Sequence, residues 1–132
     1  FSSNDKKIYS NTDIYLIDAY GINKSFYNYC KIVFVGGSLI KHGGQNPLEA
    51  ARFGCNILHG PYISNFSDIY KFLKKCNMTK RISNSQSMYW TLDGLFTKKN
   101  TTNKTQKKIT IIGQNIFKKT YNEINKLLKD EI

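Results

Sequence analysis

Arginine is scarce in this chain: of its 20 basic side chains only Arg52 and Arg81 are arginines, and the rest are lysines. Nucleic-acid readers favour arginine, whose planar fork grips phosphate and guanine at two points at once. Specific nucleic-acid binding therefore ranks last among the explanations of the +11 net charge. Long apolar runs are missing too. The longest, Ile32 to Val35 with its glycines, is far short of the roughly 20 residues of a membrane span. No charged-then-apolar leader opens the chain, so nothing points to secretion. Cysteine is limited to Cys30, Cys55 and Cys76. Three thiols, widely spaced and odd in number, make neither a metal-ligand pattern nor a disulfide framework, and read as reduced cytosolic thiols. Neither the Walker A loop nor the dinucleotide fingerprint GxGxxG is present, and there is no internal repeat.

What is there suits one globular domain. The 132 residues are 40% apolar and 14% aromatic, too hydrophobic for a disordered tail and about the length of a single core. The charge is lopsided. Residues 1–70 carry six Lys/Arg and five Asp/Glu, whereas residues 71–132 carry fourteen and four. Abundant lysine, asparagine and isoleucine fit a low-GC coding bias with solvated helix faces. An anionic surface is the second reading of the basic half.

Residues 1–13 are polar and read as a linker or the remnant of an earlier βα unit. Ile14-Tyr15-Leu16-Ile17, ending at Asp18, reads as a buried strand. Gly21 turns the chain, and Phe26, Tyr27 and Cys30 fall at helical spacing over Asn23 to Cys30. Ile32-Val33-Phe34-Val35 is the clearest strand, stopped by Gly36-Gly37. Asn46 as cap, Pro47 in the first turn and Gly54 as stop frame a helix. Asn56-Ile57-Leu58 is a further strand, broken by Gly60-Pro61. Asn65 caps a helix with Phe66, Ile69, Tyr70, Leu73 and Cys76 on one face. Met78 to Ile82 is a weak strand, Ser85 to Phe96 a helix, and Lys98 to Lys108 a polar connection. A last long helix has Ile109, Ile112, Ile116, Tyr121, Ile124, Leu127 and Leu128 as its buried stripe. Strand alternating with helix predicts an α/β fold, a parallel sheet flanked by helices. Ligands of such sheets bind beyond the carboxyl ends of the strands. That places Asp18 to Asn23, Gly36 to Asn46 and His59 to Asn65 along one edge.

The densest constellation is Gly36-Gly37-Ser38-Leu39-Ile40-Lys41-His42-Gly43-Gly44-Gln45-Asn46-Pro47-Leu48-Glu49. A strand delivers a flexible loop into a helix start, where free N–H groups and the helix dipole suit an anion, above all a phosphate. Four glycines let the backbone approach a ligand without side chains in the way. Glu49 has two readings: a capping box back to Asn46, or an acceptor for ribose hydroxyls. His42 either touches phosphate or is simply solvated. His59 ends a strand with no obvious partner, and Asp18 orients a loop or touches ligand. Ser38 lacks a paired His and Asp, which excludes hydrolase chemistry.

Three motifs in register then become specific. Val33-Phe34-Val35-Gly36-Gly37-Ser38-Leu39 with His42-Gly43-Gly44-Gln45-Asn46-Pro47-Leu48-Glu49-Ala50-Ala51 closely resembles the 3-deoxy-D-manno-octulosonic acid (Kdo) transferases. Asp18-Ala19-Tyr20-Gly21 upstream and Gly60-Pro61-Tyr62-Ile63-Ser64-Asn65-Phe66-Ser67-Asp68-Ile69 downstream keep order and spacing. The resemblance is strong over about residues 14 to 76 and weakens afterwards.

The resemblance implies one Rossmann-like half of a GT-B-type glycosyltransferase of lipopolysaccharide synthesis at the cytoplasmic face of the bacterial inner membrane. This chain matches the C-terminal half, which binds the donor CMP-Kdo. The N-terminal half binds the lipid A precursor and carries the glutamate thought to act as general base. By the same resemblance Gly21, Gly36, Gly37, Ser38, Gly43, Gly44, Gln45 and Asn46 lie against the donor, and Glu49 holds the ribose. No catalytic residue, metal or cofactor falls to this chain, CMP-Kdo being a substrate. The family's Gly-Glu-Leu after the aspartate motif is here Gly21-Ile22-Asn23, so the contact of that glutamate is not carried over. The expectation is a truncated donor-binding domain over residues 1–132, without its acceptor domain and inactive alone. Its partners would be a CMP-sugar, the lipid A precursor through the missing half, and an anionic membrane surface. The alternatives are a transferase domain for another nucleotide sugar, or a non-catalytic basic module binding anionic lipid or nucleic acid.

Overall fold

Four β-formers in a row need a ladder on which to spend their backbone hydrogen bonds, and Ile32–Phe34 (β1) finds one in Asn56–His59 (β2). In the computed structural model, which describes residues 9–19, 21–97 and 102–130, the register is Ile32↔Asn56, Val33↔Ile57 and Phe34↔Leu58. Thr79–Arg81 (β3) joins the other side of β2 with Ile57↔Thr79 and His59↔Arg81. All pairs are parallel and the order is β1-β2-β3. Parallel neighbours need crossovers, supplied here by the helices Leu48–Arg52 (α2) and Ser67–Lys75 (α3). Ahead of β1 lies the short helix Asn23–Tyr27 (α1); after β3 come Ser85–Thr97 (α4) and Thr102–Asp130 (α5). The expected parallel sheet flanked by helices is thus present.

Its core is small and centred on β2. Ile57 and Leu58 are fully buried, with Ala50 and Ala51 of α2, Tyr70 and Leu73 of α3, Met78, and Ile109 of α5. Each large aliphatic side chain buried there contributes about 1.5–3 kcal/mol. Cys55 belongs to the same core. Its Sγ–H donates to the Cys30 carbonyl at 3.0 Å, and burial pushes its thiol up to about 11. All three cysteines are free.

Local signals explain most boundaries. Gly54, at φ +78°, ends α2 as anticipated. Its N–H bonds the Ala51 carbonyl, and the Cys55 N–H reaches back to Ala50, a left-handed stop that only glycine adopts cheaply. Asn46 Oδ1 accepts the Leu48 N–H at 3.0 Å, and Pro47 gives its carbonyl to Ala51 N–H. α4 is opened by Asn84, whose Oδ1 accepts the Ser87 N–H at 2.8 Å.

Several expectations fail for physical reasons. Ile14 to Ile17 is not a strand: the run lies unpaired, with Ile14 88% and Leu16 60% exposed. β1 keeps a free edge in the described sheet, but this segment does not pair with it, and its described side-chain contact is the ring of Tyr15 against Phe26. α1 stops at Tyr27 because the N–H groups of Tyr29 and Cys30 both fold back to the Phe26 carbonyl. Asn65 does not cap α3; a single 3-10 turn, Ser64–Phe66, leads into that helix. Among the described residues of α5 only Ile109 is buried; Ile112 is half-buried, and Ile116, Tyr121, Ile124, Leu127 and Leu128 are exposed. A helix of 29 residues is about 44 Å long and outruns the domain beneath it. The linker reading of residues 1–13 falls partly outside the described residues, as does Tyr20; the expected polar connection from Lys98 to Lys108 is, from Thr102 onward, already part of α5. None of the helices among the described residues is long and apolar enough to cross a membrane.

Candidate functional site

Two loops leave the carboxyl ends of β1 and β2 and are laced together. Val35 extends the ladder with its N–H on the Leu58 carbonyl at 2.9 Å, after which Gly36 and Gly37 turn the chain out. The Gly44 N–H closes the loop on the Gly37 carbonyl at 3.0 Å. Gly37, Gly43 and Gly44 all have positive φ, between +66° and +93°, the region open to glycine and strained for other residues.

The second loop locks onto the first through Ser38. This side chain is fully buried: its Oγ–H donates to the Val35 carbonyl at 2.6 Å and its Oγ accepts the Gly60 N–H at 2.9 Å. The Tyr62 N–H adds a bond to the Ser38 carbonyl at 2.9 Å. Ser38 thus braces the two loops. Ser38→Ala leaves the buried Gly60 N–H without an acceptor and is expected to lower stability by about 1–3 kcal/mol in urea unfolding.

Asn65 is the second clasp, and its role was not legible as a cap. Its backbone N–H bonds the Gly43 carbonyl at 3.1 Å, and its Nδ2 donates to the His42 carbonyl at 3.2 Å. Any Cβ at position 43 would come within 2.5 Å of Asn65 Oδ1. Tyr70, from α3, donates its hydroxyl to the Gln45 carbonyl at 3.2 Å; burial pushes its pKa up to about 12, so it stays a donor. Gly60, Tyr62, Asn65 and Tyr70 are therefore positioning residues, a role the sequence did not assign to them: Gly60 reads there as a strand breaker, Asn65 as a cap, Tyr70 as part of an apolar face, and Tyr62 only as a member of the Gly60 to Ile69 motif.

Glu49 takes neither part of a capping box. Its carboxylate is half exposed and stands 3.9 Å from Lys24 Nζ of α1, while Asn46 spends its side chain on Leu48. Packing of the Tyr27 ring on Phe53, centroids 5.8 Å apart, ties α1 to the end of α2, and the exposed Lys24–Glu49 pair adds little to it. This packing sets Gly21, φ +84°, just ahead of α1. Gln45, Asn46 and His42 are exposed beside the loop, whereas Gly43 and Gly44 are buried. With five residues, α2 brings little dipole, so an anion here would be held mainly by loop N–H groups and neighbouring side chains.

Gly36 differs from the other loop glycines. Its φ is not left-handed, and a Cβ there would meet nothing within 4 Å. The fold itself makes no demand for glycine at this point; a ligand drawn up to the backbone would. Among the described residues no group of three or more His, Cys, Asp or Glu is placed to hold a metal ion.

No family model matches the chain. It is 38% identical over 99 residues to the 3-deoxy-D-manno-octulosonic acid transferase of Rickettsia typhi, covering 75% of this chain and 21% of that protein. The Haemophilus influenzae enzyme of the same name is 43% identical over 63 residues, or 48% of this chain and 15% of the relative. The match thus spans 21% and 15% of the length of these two relatives. Among solved structures it matches the C-terminal CMP-Kdo binding domain of WaaA from Acinetobacter baumannii. The TM-score is 0.67 at 25% identity, over 78% of this chain and 54% of that one. With sequence and fold in agreement, this chain belongs to the Kdo transferase family, in the part that matches its C-terminal, Rossmann-like domain.

Proposed function

We propose that this chain is the donor-binding part of a glycosyltransferase that moves Kdo from CMP-Kdo to a hydroxyl of a lipid A precursor. The reading is carried by Gly36, a glycine that the protein's own packing does not require, at the mouth of a loop braced at Gly37, Ser38, Gly43 and Gly44. CMP would lie across Gly36, Gly37, Gly43 and Gly44, with Gln45 and Asn46 at its rim, Glu49 accepting from the ribose and Ser38 bracing from behind. In the transfer, the bond from the sugar's anomeric carbon to the CMP phosphate oxygen breaks. A bond to the acceptor oxygen forms, CMP leaves, and the hydroxyl proton goes to a base outside this chain's candidate residues. The acceptor, the base and the place at the cytoplasmic face of the inner membrane belong to the reading of the whole enzyme. The isolated chain should therefore bind the nucleotide without turning over donor.

Ile22, where the family has an acidic residue, keeps a second donor in view. Calorimetric titration with CMP, UMP and AMP separates the readings. Saturable binding of CMP, at least tenfold tighter than UMP or AMP, is expected. Preference for UMP or AMP would assign another nucleotide sugar. Response to anionic vesicles or RNA but to no nucleotide would make the chain a basic binding module.

A further inference from the structure

We infer that a recess between α3 and β3, behind the second loop, is a separate binding site for a small phosphate-bearing anion, held by Lys74, Arg81 and Nε2 of His59. The recess has a volume of about 250 Å³ and is lined by His59, Tyr70, Lys71, Lys74, Thr79 and Arg81 among others. That is smaller than the usual pocket for a drug-sized ligand and suits a phosphate or a compact phosphate ester.

His59 is the feature that points to a ligand. It is only 6% exposed, packed against Tyr70 with ring centroids 4.6 Å apart and the ring planes tilted by 53°. Its Nδ1 lies 2.7 Å from the Gly60 carbonyl, an acceptor, so the ring proton sits on Nδ1 and Nε2 presents its lone pair. Nε2 has no hydrogen-bond partner among the described residues. No sealed polar side-chain atom among them lacks a partner, so Nε2 is not sealed off, and its residue lines the recess.

Around this nitrogen the charge is all of one sign. No carboxylate lines the recess. Lys71 is paired with Asp68 at 3.0 Å, whereas Lys74 and Arg81 have no carboxylate within 4 Å among the described residues. Burial holds the His59 pKa below its ordinary value; the hydrogen bond to the Gly60 carbonyl opposes that shift, and the charges of Arg81 and Lys74 add to it. An anion between the cations would relieve that repulsion. Arg81 is one of only two arginines in the chain, and its fork can take two oxygens of a tetrahedral anion. Lys74, from the other wall, takes a third. Phosphate titrates close to neutrality, so it can share one proton with Nε2, which a carboxylate at neutral pH does not carry.

The test is a titration of the 132-residue chain with inorganic phosphate at pH 7 and constant ionic strength, followed by heteronuclear NMR, with acetate as the matched arm. Saturable shifts are expected at the His59 imidazole, Thr79 and Arg81, without such shifts in acetate. Arg81→Ala and Lys74→Ala, both at exposed side chains, should each weaken phosphate by about tenfold and leave the rest of the spectrum in place. Absence of saturable shifts, equal response to acetate, or unchanged affinity in both variants would overturn the site. Phosphate shifts confined to Gly37, Gly43 and Glu49 would also overturn it, while leaving the donor crevice intact.

Discussion

Gly60→Ala is expected to cost the fold about 3 kcal/mol or more, the largest single-residue loss in the loop region. A Cβ at this position would overlap the Ser38 carbonyl group. That carbonyl cannot give way cheaply, because it accepts the Tyr62 N–H at 2.9 Å, and the Ser38 hydroxyl holds the Gly60 N–H itself at 2.9 Å. Relief therefore means parting the two loops, with loss of several of the bonds that lace them. Urea unfolding of the variant should show a clear drop in midpoint. Gly36→Ala is the contrasting case: with open space at the Cβ position and no left-handed φ, its stability should stay within about 0.5 kcal/mol of the parent. Equal losses in the two variants would remove the distinction between braced and ligand-facing glycines.

Glu49→Ala should behave in the opposite way, sparing the fold and weakening CMP by about ten- to a hundredfold. The carboxylate is half exposed, and its pairing with Lys24 at 3.9 Å is a surface contact of little worth. Hydrogen bonds from ribose hydroxyls to an ionised acceptor contribute about 1.5–3 kcal/mol, which converts to that range of affinity. Glu49→Gln keeps the shape and one acceptor oxygen, so it should fall between parent and alanine. Calorimetry with CMP measures the first effect and thermal unfolding the second.

The order of elements from β1 to β3 was legible because each carries a local signal: four β-formers in Ile32–Val35, the glycine stop at Gly54, the apolar face of Phe66 to Cys76. Asp18 to Asn23, Gly36 to Asn46 and His59 to Asn65 were likewise marked as the loops that follow the strands. What escaped depends on partners distant in sequence. Ile14 to Ile17 has the composition of a strand, but a strand forms only by pairing with a partner edge, and composition does not report whether that pairing is made. The stripe on α5 has helical periodicity, which says which residues share a face and nothing of whether a body lies beneath that face. Ser38 reads as a ligand-facing hydroxyl in a glycine loop. Its burial follows from Gly60, 22 residues away. Asn65 has the residue type of a cap, and its amide is drawn instead to the carbonyl of His42. The resemblance supplied the family from three short motifs, but it could not distinguish residues that touch a ligand from residues that hold the loops in place.

The central claim is that the laced loops after β1 and β2 form the nucleotide crevice. Amide resonances followed through a CMP titration test it most directly. The expected result is a saturable set of shifts centred on Gly36, Gly37, Gly43 and Glu49, reduced in Glu49→Ala, with the lysine-rich residues beyond 98 undisturbed. Shifts confined to those lysines, or no saturable change at the glycine loop, would contradict it.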